Sequence, residues 1–192
     1  MLLCADMAFI SSSKKYIYKY SKIQDGGKEM EGKIVQKSSL IMSAVMLPNQ
    51  ANAAGNVHGG EIIKMMDTAA GVVAKRHART NVVTARVDEL SFNKPIYVGN
   101  LVNCHAYLTF VGRSSMEVAV RVDVEDLDTE IPNTCVLTGY FTMISLDSEG
   151  KSAQVPPLEL INEEERIRFA EGRQRNEKNK NSRNQICSIP VM

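Results

Sequence analysis

Apolar residues follow two different periods through the middle of the chain. Five apolar runs, rich in Val, Ile, Leu and Phe, are separated by breakers such as Pro, Gly and Asn, which is typical of strands. The predicted strands are 39–47, 82–92, 101–111, 116–125 and 134–146. Between the first two, apolar residues recur every three or four positions from Gly59 to about Ala78, which predicts one long helix buried on most sides.

The order of these elements limits the fold. No helix separates the four later strands, so a parallel sheet with crossover connections is not expected. The short turn 112–115 instead predicts an antiparallel hairpin. We therefore predict an α+β fold in which a five-stranded antiparallel sheet wraps the long helix. After Val155-Pro156-Pro157, Asn162 with Glu165 three positions later predicts the start of a charged C-terminal helix.

The chain divides into four predicted segments. They are an N-terminal extension (1–37), the folded body (38–157), the C-terminal helix (158–180) and a flexible tail (181–192). The run Gly26-Gly27-Lys28-Glu29-Met30 fits purine-rich codons like those of a bacterial ribosome-binding site. One hypothesis is therefore that Met30 is the natural first residue, and the other is a genuine disordered N-terminal arm.

Composition and charge describe an ordinary soluble domain. The 192 residues are 44% hydrophobic and 23% charged, which argues against a wholly disordered chain. The net charge of +1 divides into +3 for 1–38, −3 for 39–157 and +1 for 158–192, and favours neither nucleic acid nor a membrane as partner. No apolar run reaches the ~18 residues of a membrane span, and the opening residues lack the basic start of a signal peptide.

The four cysteines predict free thiols. Cys4, Cys104, Cys135 and Cys187 form no CxxC pair, and the histidines have no short metal-ligand spacing to one another or to Cys104. Buried free thiols are typical of a reducing compartment, so a cytoplasmic protein without a metal site is expected.

Asp67 is the first residue that could carry chemistry. It lies four positions after Ile63 and three before Ala70, on an apolar stripe of the predicted helix. A carboxylate on a buried stripe is costly unless it is hydrogen-bonded or functional. Two interpretations stay open, a structural acid at an interface and a general base.

The start of the same helix is the second candidate. Gly59-Gly60 would let another molecule approach the backbone, where free N–H groups and the positive end of the helix dipole can hold an oxyanion. Just ahead, Asn56 is either an ordinary loop residue or part of a site. His58 is a satisfied loop histidine, a substrate contact or a catalytic base.

The turn Gly112-Arg113-Ser114-Ser115 is the third candidate. An arginine fork beside two hydroxyl groups suits an anion, whereas the alternative is a plain polar hairpin. The sequence has no P-loop, no G-x-S-x-G elbow and no G-x-G-x-x-G motif.

Taken together, these residues resemble the signature of hot-dog-fold acyl-CoA thioesterases. The similar branch includes bacterial short- and medium-chain enzymes and the two-domain cytosolic long-chain enzyme of animals. The resemblance covers about residues 38–176. The matching runs are Gly55-Asn56-Val57-His58-Gly59-Gly60-Glu61-Ile62-Ile63-Lys64-Met65-Met66-Asp67, Ala69-Ala70-Gly71, Val83-Thr84-Ala85, Phe92-Asn93-Lys94-Pro95-Ile96, Val98-Gly99, Gly112-Arg113-Ser114-Ser115-Met116-Glu117-Val118, Val155-Pro156-Pro157 and Arg168-Phe169-Ala170-Glu171-Gly172.

The resemblance implies a long central helix wrapped by a curved antiparallel sheet. It implies hydrolysis of fatty acyl-CoA to free fatty acid and CoA, at sites that lie between two subunits. Each site would take its asparagine from one subunit and its aspartate from the other, and three dimers would form a homohexamer. Because CoA is part of the substrate and leaves as a product, no cofactor is implied.

The resemblance also assigns roles to single residues. Asp67 would act as general base on the attacking water, with direct nucleophilic attack as the alternative. The Gly60 N–H would stabilise the oxyanion, and Asn56 would position the water or the carbonyl. The expected substrate-binding residues are His58, Gly59, Lys94, Arg113, Ser114 and Ser115.

Two other functions use parts of the same pattern. A hot-dog dehydratase or hydratase would pair a loop histidine with a helix acid, as His58 and Asp67 offer, but the Asn-x-His-Gly-Gly form and the Arg-Ser-Ser turn favour the thioesterase. A non-catalytic acyl-CoA sensor would carry a DNA-binding module, and residues 1–38 show no convincing helix-turn-helix.

Overall fold

The computed structural model describes residues 30–130 and 132–182. In chain order the elements there are β1 (Lys33–Ile34), β2 (Leu40–Val45), α1 (Gly59–Ala78), β3 (Asn81–Phe92), β4 (Leu101–Val111), β5 (Ser115–Glu125), β6 (Thr134–Leu146), β7 (Leu158–Glu159) and α2 (Glu163–Ser182). All five predicted strands and both predicted helices are present, and their ends lie within two residues of the prediction, except that α2 begins at Glu163, five residues after the start of the segment 158–180. Neither α1 nor α2 has an apolar stretch long enough to cross a membrane.

Five strands form one antiparallel sheet in the order β2-β4-β5-β6-β3. Buried side chains alternate with partly buried ones along most of β4, because one face of the sheet packs against α1 and the other faces away from it. Met66 and Val73 of α1 are fully buried in this core. The predicted α+β architecture, with an antiparallel β4–β5 hairpin, is confirmed.

α1 is buried on one face rather than on most sides. Its buried residues are Ile62, Met66, Ala69, Ala70, Val73, Ala74, His77 and Ala78. Ile63 and Val72 keep partial exposure because the sheet covers only the opposite side of the helix. Asp67 borders the buried face and is itself only partly buried. The prediction that it lies on a buried stripe is therefore wrong for the single chain.

Residues just before the predicted body also pack against it. β1 pairs in parallel with β7, Val35 is buried, and the Lys33 ammonium donates to the backbone carbonyl of His77 at 2.5 Å. The lysine thereby satisfies a carbonyl in the last turn of α1. Residues 33–37 of the predicted extension thus adjoin the body, whereas 1–29 and 183–192 lie outside the described residues. The division into four segments stays a prediction.

α2 packs on the face of the sheet opposite α1, although its sequence is charged nearly all round. The buried carboxylate of Glu117 accepts hydrogen bonds from the Thr109 hydroxyl at 2.6 Å and from the Arg175 guanidinium at 2.9 Å. Phe169 lies against Phe110, with 5.1 Å between the ring centroids. An ion pair and an aromatic contact are therefore among the interactions that attach this helix to the sheet.

Candidate active site

Asp67 is held by a residue that the sequence did not single out. The Thr84 hydroxyl of β3 donates a hydrogen bond to Asp67 Oδ1 at 2.6 Å. Ala85 is an extra residue in the pairing of β3 with β6, and such a bulge re-aims the neighbouring side chain. The only signal for this contact in the sequence is the run Val83-Thr84-Ala85, which indicates no role for the hydroxyl.

This contact leaves one carboxylate oxygen for chemistry. Within the described residues no donor reaches Asp67 Oδ2, and the side chain keeps some exposure to solvent. A hydroxyl donor on one oxygen fixes the orientation of a carboxylate, and the other oxygen can then accept a proton from water. The geometry suits a general base.

The predicted oxyanion donor at the start of α1 is already occupied. The Gly60 N–H donates to Nδ1 of His58 at 2.9 Å, so His58 caps its own helix. The imidazole also fills the space beside Gly60, because an added Cβ would lie 3.0 Å from Nδ1. Gly59 lies under the Phe92 ring, whose Cζ would be 3.2 Å from an added Cβ. A side chain at either glycine would push a ring aside.

The loop ahead of α1 brings two asparagines together. The Asn52 N–H donates to the Asn56 carbonyl at 2.7 Å, and Asn52 Oδ1 accepts from the Ala54 N–H at 2.9 Å. Gly55, at φ 86°, closes the turn in a conformation that favours glycine. Asn56 Oδ1 is buried without a hydrogen-bond partner among the described residues, so this acceptor is open to a donor from a ligand or from water.

A cavity of about 360 Å³ lies beside this loop and the N-terminus of α1. It is lined by Asn56, Val57, Gly59, Phe92, Asn93, Lys94, Pro95 and Ile96. The structure therefore brings together three residues predicted to belong to the site, namely Asn56, Gly59 and Lys94.

The predicted anion site, Gly112–Ser115, lies at the other end of the sheet. The turn is closed by a backbone hydrogen bond of 2.8 Å between its first and last residues. It leads into β5, where Met116 is opposite Met143 of β6, which is in turn opposite Thr84 of β3. β6 therefore lies between β5 and β3. The start of β5 is two strand spacings, about 10 Å, from Thr84, the residue that bonds to Asp67.

Helix geometry separates the predicted residues of one chain. Gly60 and Asp67 are seven residues apart on α1, which is about 10 Å along the axis. One chain therefore does not bring the oxyanion donor and the carboxylate to the same carbonyl group. The same limit applies to His58, nine positions before Asp67, so one chain does not bring His58 and Asp67 together either.

Among residues 30–130 and 132–182, no group of three or more His, Cys, Asp or Glu side chains could hold a metal ion. Cys104 and Cys135 are free thiols, and burial raises the pKa of Cys104 to about 12, so that thiol stays protonated at neutral pH. Cys4 and Cys187 lie outside the described residues.

Known proteins resemble this sequence over its central part. A family model described as "Thioesterase superfamily" matches residues 54–131. The human cytosolic acyl coenzyme A thioester hydrolase is 40% identical over 129 residues, which are 67% of this chain and 34% of the human protein. The chain thus spans about a third of the length of that relative.

Two solved structures extend the likeness to the fold. An apo-hexameric acyl-CoA thioesterase has a TM-score of 0.73 and 32% identity, over 80% of this chain and 99% of that one. An acyl-CoA hydrolase from Staphylococcus aureus, in complex with butyryl coenzyme A, coenzyme A and coenzyme A disulfide, has a TM-score of 0.73 and 29% identity, over 80% and 93%. Alanine variants of the S. aureus enzyme replace an asparagine, an aspartate 15 positions later and a threonine 17 positions after that. The predicted hot-dog fold is confirmed, and the chain belongs to the thioesterase superfamily.

Proposed function

We propose that this chain hydrolyses acyl-CoA thioesters to the free acid and CoA. The observation that carries the proposal is the 2.6 Å hydrogen bond from Thr84 to Asp67, which orients a carboxylate and leaves its second oxygen open. The same residue types at the same spacing support it. Asp67 and Thr84 are 17 positions apart, as are the aspartate and threonine replaced in the S. aureus enzyme.

Asp67 acts as general base in this proposal. Its free oxygen takes a proton from a water molecule as that water attacks the thioester carbonyl, while Thr84 keeps the other oxygen in place. A positioned base of this kind accelerates a reaction about 10²–10⁴-fold. Nucleophilic attack through an anhydride is the other role open to the same carboxylate.

The oxyanion donor is assigned to Gly60 of the partner subunit. Gly60 and Asp67 of one chain project from nearly the same side of α1, because seven residues make about two full turns. If two copies of α1 pack antiparallel about a two-fold axis near Ile63, each Gly60 lies beside the partner subunit's Asp67. A homodimer arranged in this way holds two equivalent sites.

An exposed apolar edge supports this pairing. β3 is the last strand of the sheet, and its Val83 and Val87 are 42% and 38% exposed. A long edge strand with apolar side chains is usually covered in the assembled protein. We assign it to the dimer interface, where a partner would also cover Thr84 and Asp67. The apo-hexameric neighbour supports three such dimers as the full assembly.

The role of the site asparagine is assigned to Asn52 rather than to Asn56, which was predicted from its motif. The asparagine replaced in the S. aureus enzyme precedes the replaced aspartate by 15 positions, and Asn52 precedes Asp67 by the same number. Asn52 would position the attacking water or the carbonyl. Asn56 would support it, since the Asn56 carbonyl accepts from the Asn52 N–H at 2.7 Å.

The phosphates of CoA are assigned to Arg113, with the hydroxyl groups of Ser114 and Ser115 beside it. A guanidinium fork matches phosphate oxygens in geometry and charge, and the net charge of −3 on residues 39–157 makes the placement of single cations decisive. Lys94, in the cavity beside Gly59, is the second cation assigned to substrate binding.

Thiol release from a panel of acyl-CoA substrates of increasing chain length tests the proposal. We expect the wild type to release CoA, and Asp67→Asn to lower kcat about 10²–10⁴-fold while CoA binding and the circular dichroism spectrum stay unchanged. Thr84→Val should lower kcat about tenfold, since it removes one hydrogen bond to a charged group. His105→Gln, on the opposite face of the sheet, is the control. Wild-type turnover by Asp67→Asn, or hydration of an enoyl-CoA in place of hydrolysis, would overturn the assignment.

A further inference from the structure

We propose that His58 is a gate on the oxyanion donor, because its imidazole occupies the Gly60 N–H in the resting chain and swings away when a thioester carbonyl binds there. The inference rests on the proposed function, since it takes that N–H as the oxyanion donor. It goes further by making His58 a positioning residue, in place of the substrate contact predicted from the sequence.

Two acceptors compete for the same donor. The Gly60 nitrogen lies 2.9 Å from His58 Nδ1, which must be unprotonated to accept, so the ring carries its proton on Nε2. A substrate carbonyl would need the same distance and direction from Gly60. The space is also shared, since His58 Nδ1 and Cε1 would lie 3.0 and 3.1 Å from an added Gly60 Cβ. Imidazole and carbonyl are therefore mutually exclusive.

The gate can open without disturbing the loop. The backbone of His58 is fixed at both ends, because its N–H donates to the Gln50 carbonyl at 2.8 Å and its carbonyl accepts from the Glu61 N–H at 2.9 Å. The side chain is exposed, and within the described residues its bond to Gly60 is its one hydrogen bond. Rotation about χ1 alone would break this one hydrogen bond and free the donor.

Competition makes a prediction that a purely structural cap does not. A side chain that caps α1 more strongly should stabilise the fold and slow hydrolysis. A side chain that cannot cap should do the reverse, because water then replaces the imidazole and is easily displaced. A structural cap would instead move stability and activity in the same direction.

Two variants at His58 test the competition. Asn is a preferred cap, so His58→Asn should raise Tm and lower kcat/KM, whereas His58→Ala should lower Tm and raise kcat/KM, by about two- to tenfold in each case. We expect the change mainly in KM, since the carbonyl displaces the ring on binding. Asn162→Ala is the matched control. It removes the cap of α2, where Asn162 Oδ1 accepts from the Glu165 N–H at 2.8 Å, so it should lower Tm without changing kcat/KM.

Two substrate analogues separate the gate from general damage to the site. In a ketone analogue a methylene group replaces the thioester sulfur and the carbonyl is kept, whereas in a thioether analogue the carbonyl itself is replaced by methylene. His58→Ala should tighten binding of the ketone about two- to tenfold and leave the thioether unchanged, because only the ketone competes for Gly60.

A fall in kcat/KM for His58→Ala, or an equal shift for both analogues, would overturn the gate. If His58→Ala does not fold, His58→Asn decides alone, and unchanged or faster hydrolysis by it would count against the proposal. A wild type that releases no CoA from any acyl-CoA would refute the proposed function itself. Active wild type with variants that shift the wrong way would refute only the gate.

Discussion

Asp67 and His58 use their hydrogen bonds in opposite ways. Asp67 accepts from Thr84 and keeps one oxygen available for chemistry. His58 accepts from Gly60 and covers the N–H that we propose as the oxyanion donor. Orientation of the proposed base and access to the proposed oxyanion donor therefore depend on different side chains, so each can be changed by mutation without altering the other.

At the same scale, His77 makes the stability of the fold depend on pH. It is fully buried, its Nε2 lies 2.7 Å from the Pro156 carbonyl, and its Nδ1 has no partner among the described residues. Burial lowers the pKa of His77 below its ordinary value of 6.5, so the folded chain holds a neutral ring. As pH falls below 6.5 the unfolded chain takes up a proton first, and the free energy of unfolding decreases until the pH reaches the lowered pKa.

Urea unfolding between pH 7 and pH 5 measures this effect. We expect the wild-type midpoint to fall over that interval, and His77→Gln to remove that part of the pH dependence, because glutamine can still donate to Pro156 but does not titrate. An unchanged slope in His77→Gln would show that other groups cause the acid destabilisation.

Single residues were predicted from the sequence only where a motif contained them. Asp67 stands out as a charge among apolar helix positions, whereas Thr84 is an ordinary strand residue whose direction depends on the bulge at Ala85. The order of apolar and polar residues in β3 did not indicate this bulge. The cap at His58 was also missed, because histidine is not among the side chains that usually begin a helix.

At the scale of elements, a buried carboxylate is one of the groups that attach α2 to the sheet. Glu117 is 4% exposed and is bound by Arg175, whose guanidinium also lies 3.9 Å from the centre of the Tyr140 ring. Arg175→Met would leave the carboxylate buried without its cation, and we expect urea unfolding to show a loss of about 3–5 kcal/mol. Adding Glu117→Gln to that variant should restore most of the stability, since no charge is then left buried.

Arg173→Met is the matched control for this prediction. Arg173 pairs with Glu177 on the surface, where both side chains are more than 60% exposed, so the change should cost about 0–1 kcal/mol. Equal losses for Arg173→Met and Arg175→Met would mean that burial of Glu117 does not set the cost. If the double variant does not regain stability, the loss in Arg175→Met would come from lost packing of the arginine side-chain stem.

Element boundaries were predicted well where a period was long. β4 and β6 begin and end where their apolar runs do, whereas β1 and β7 pair only two residues each and have no period to detect. The docking of α2 could not be predicted either. Gly172 suggests a weak point in a helix, but an added Cβ there would lie 2.8 Å from Phe110 Cβ, so the glycine permits close approach to the sheet.

At the scale of the whole molecule, the residues that we assign to one site lie in two separate groups within one chain. Asp67 lies midway along α1, beside Thr84 of β3, whereas Asn52, Gly60 and Lys94 lie near the N-terminus of α1. The separation follows from the rise of one helix and cannot be closed by side-chain rotation. Two-fold symmetry would join the two groups if the aspartate of each subunit lay beside the N-terminus of α1 in its partner.

Mixing two inactive variants tests this arrangement directly. Asp67→Asn and Asn52→Ala each damage both sites of a homodimer. In a mixed dimer, one site collects both substitutions and the other collects neither, because the aspartate and the asparagine of each site come from different subunits. Random pairing in an equal mixture, refolded together, should therefore restore about a quarter of the wild-type sites.

Recovery of thiol release in this mixture distinguishes a site shared between two subunits from a site contained in a single chain. If Asp67 and Asn52 of one chain acted together, every subunit in the mixture would carry a defect, and thiol release would stay at the level of the two variants alone. Asp67→Asn mixed with Thr84→Val is the control, because Thr84 bonds to Asp67 within one chain. In the mixed dimer each site carries one of those substitutions, so no fully wild-type site can form. Recovery in the first mixture but not in the second would place the aspartate and the asparagine on opposite subunits.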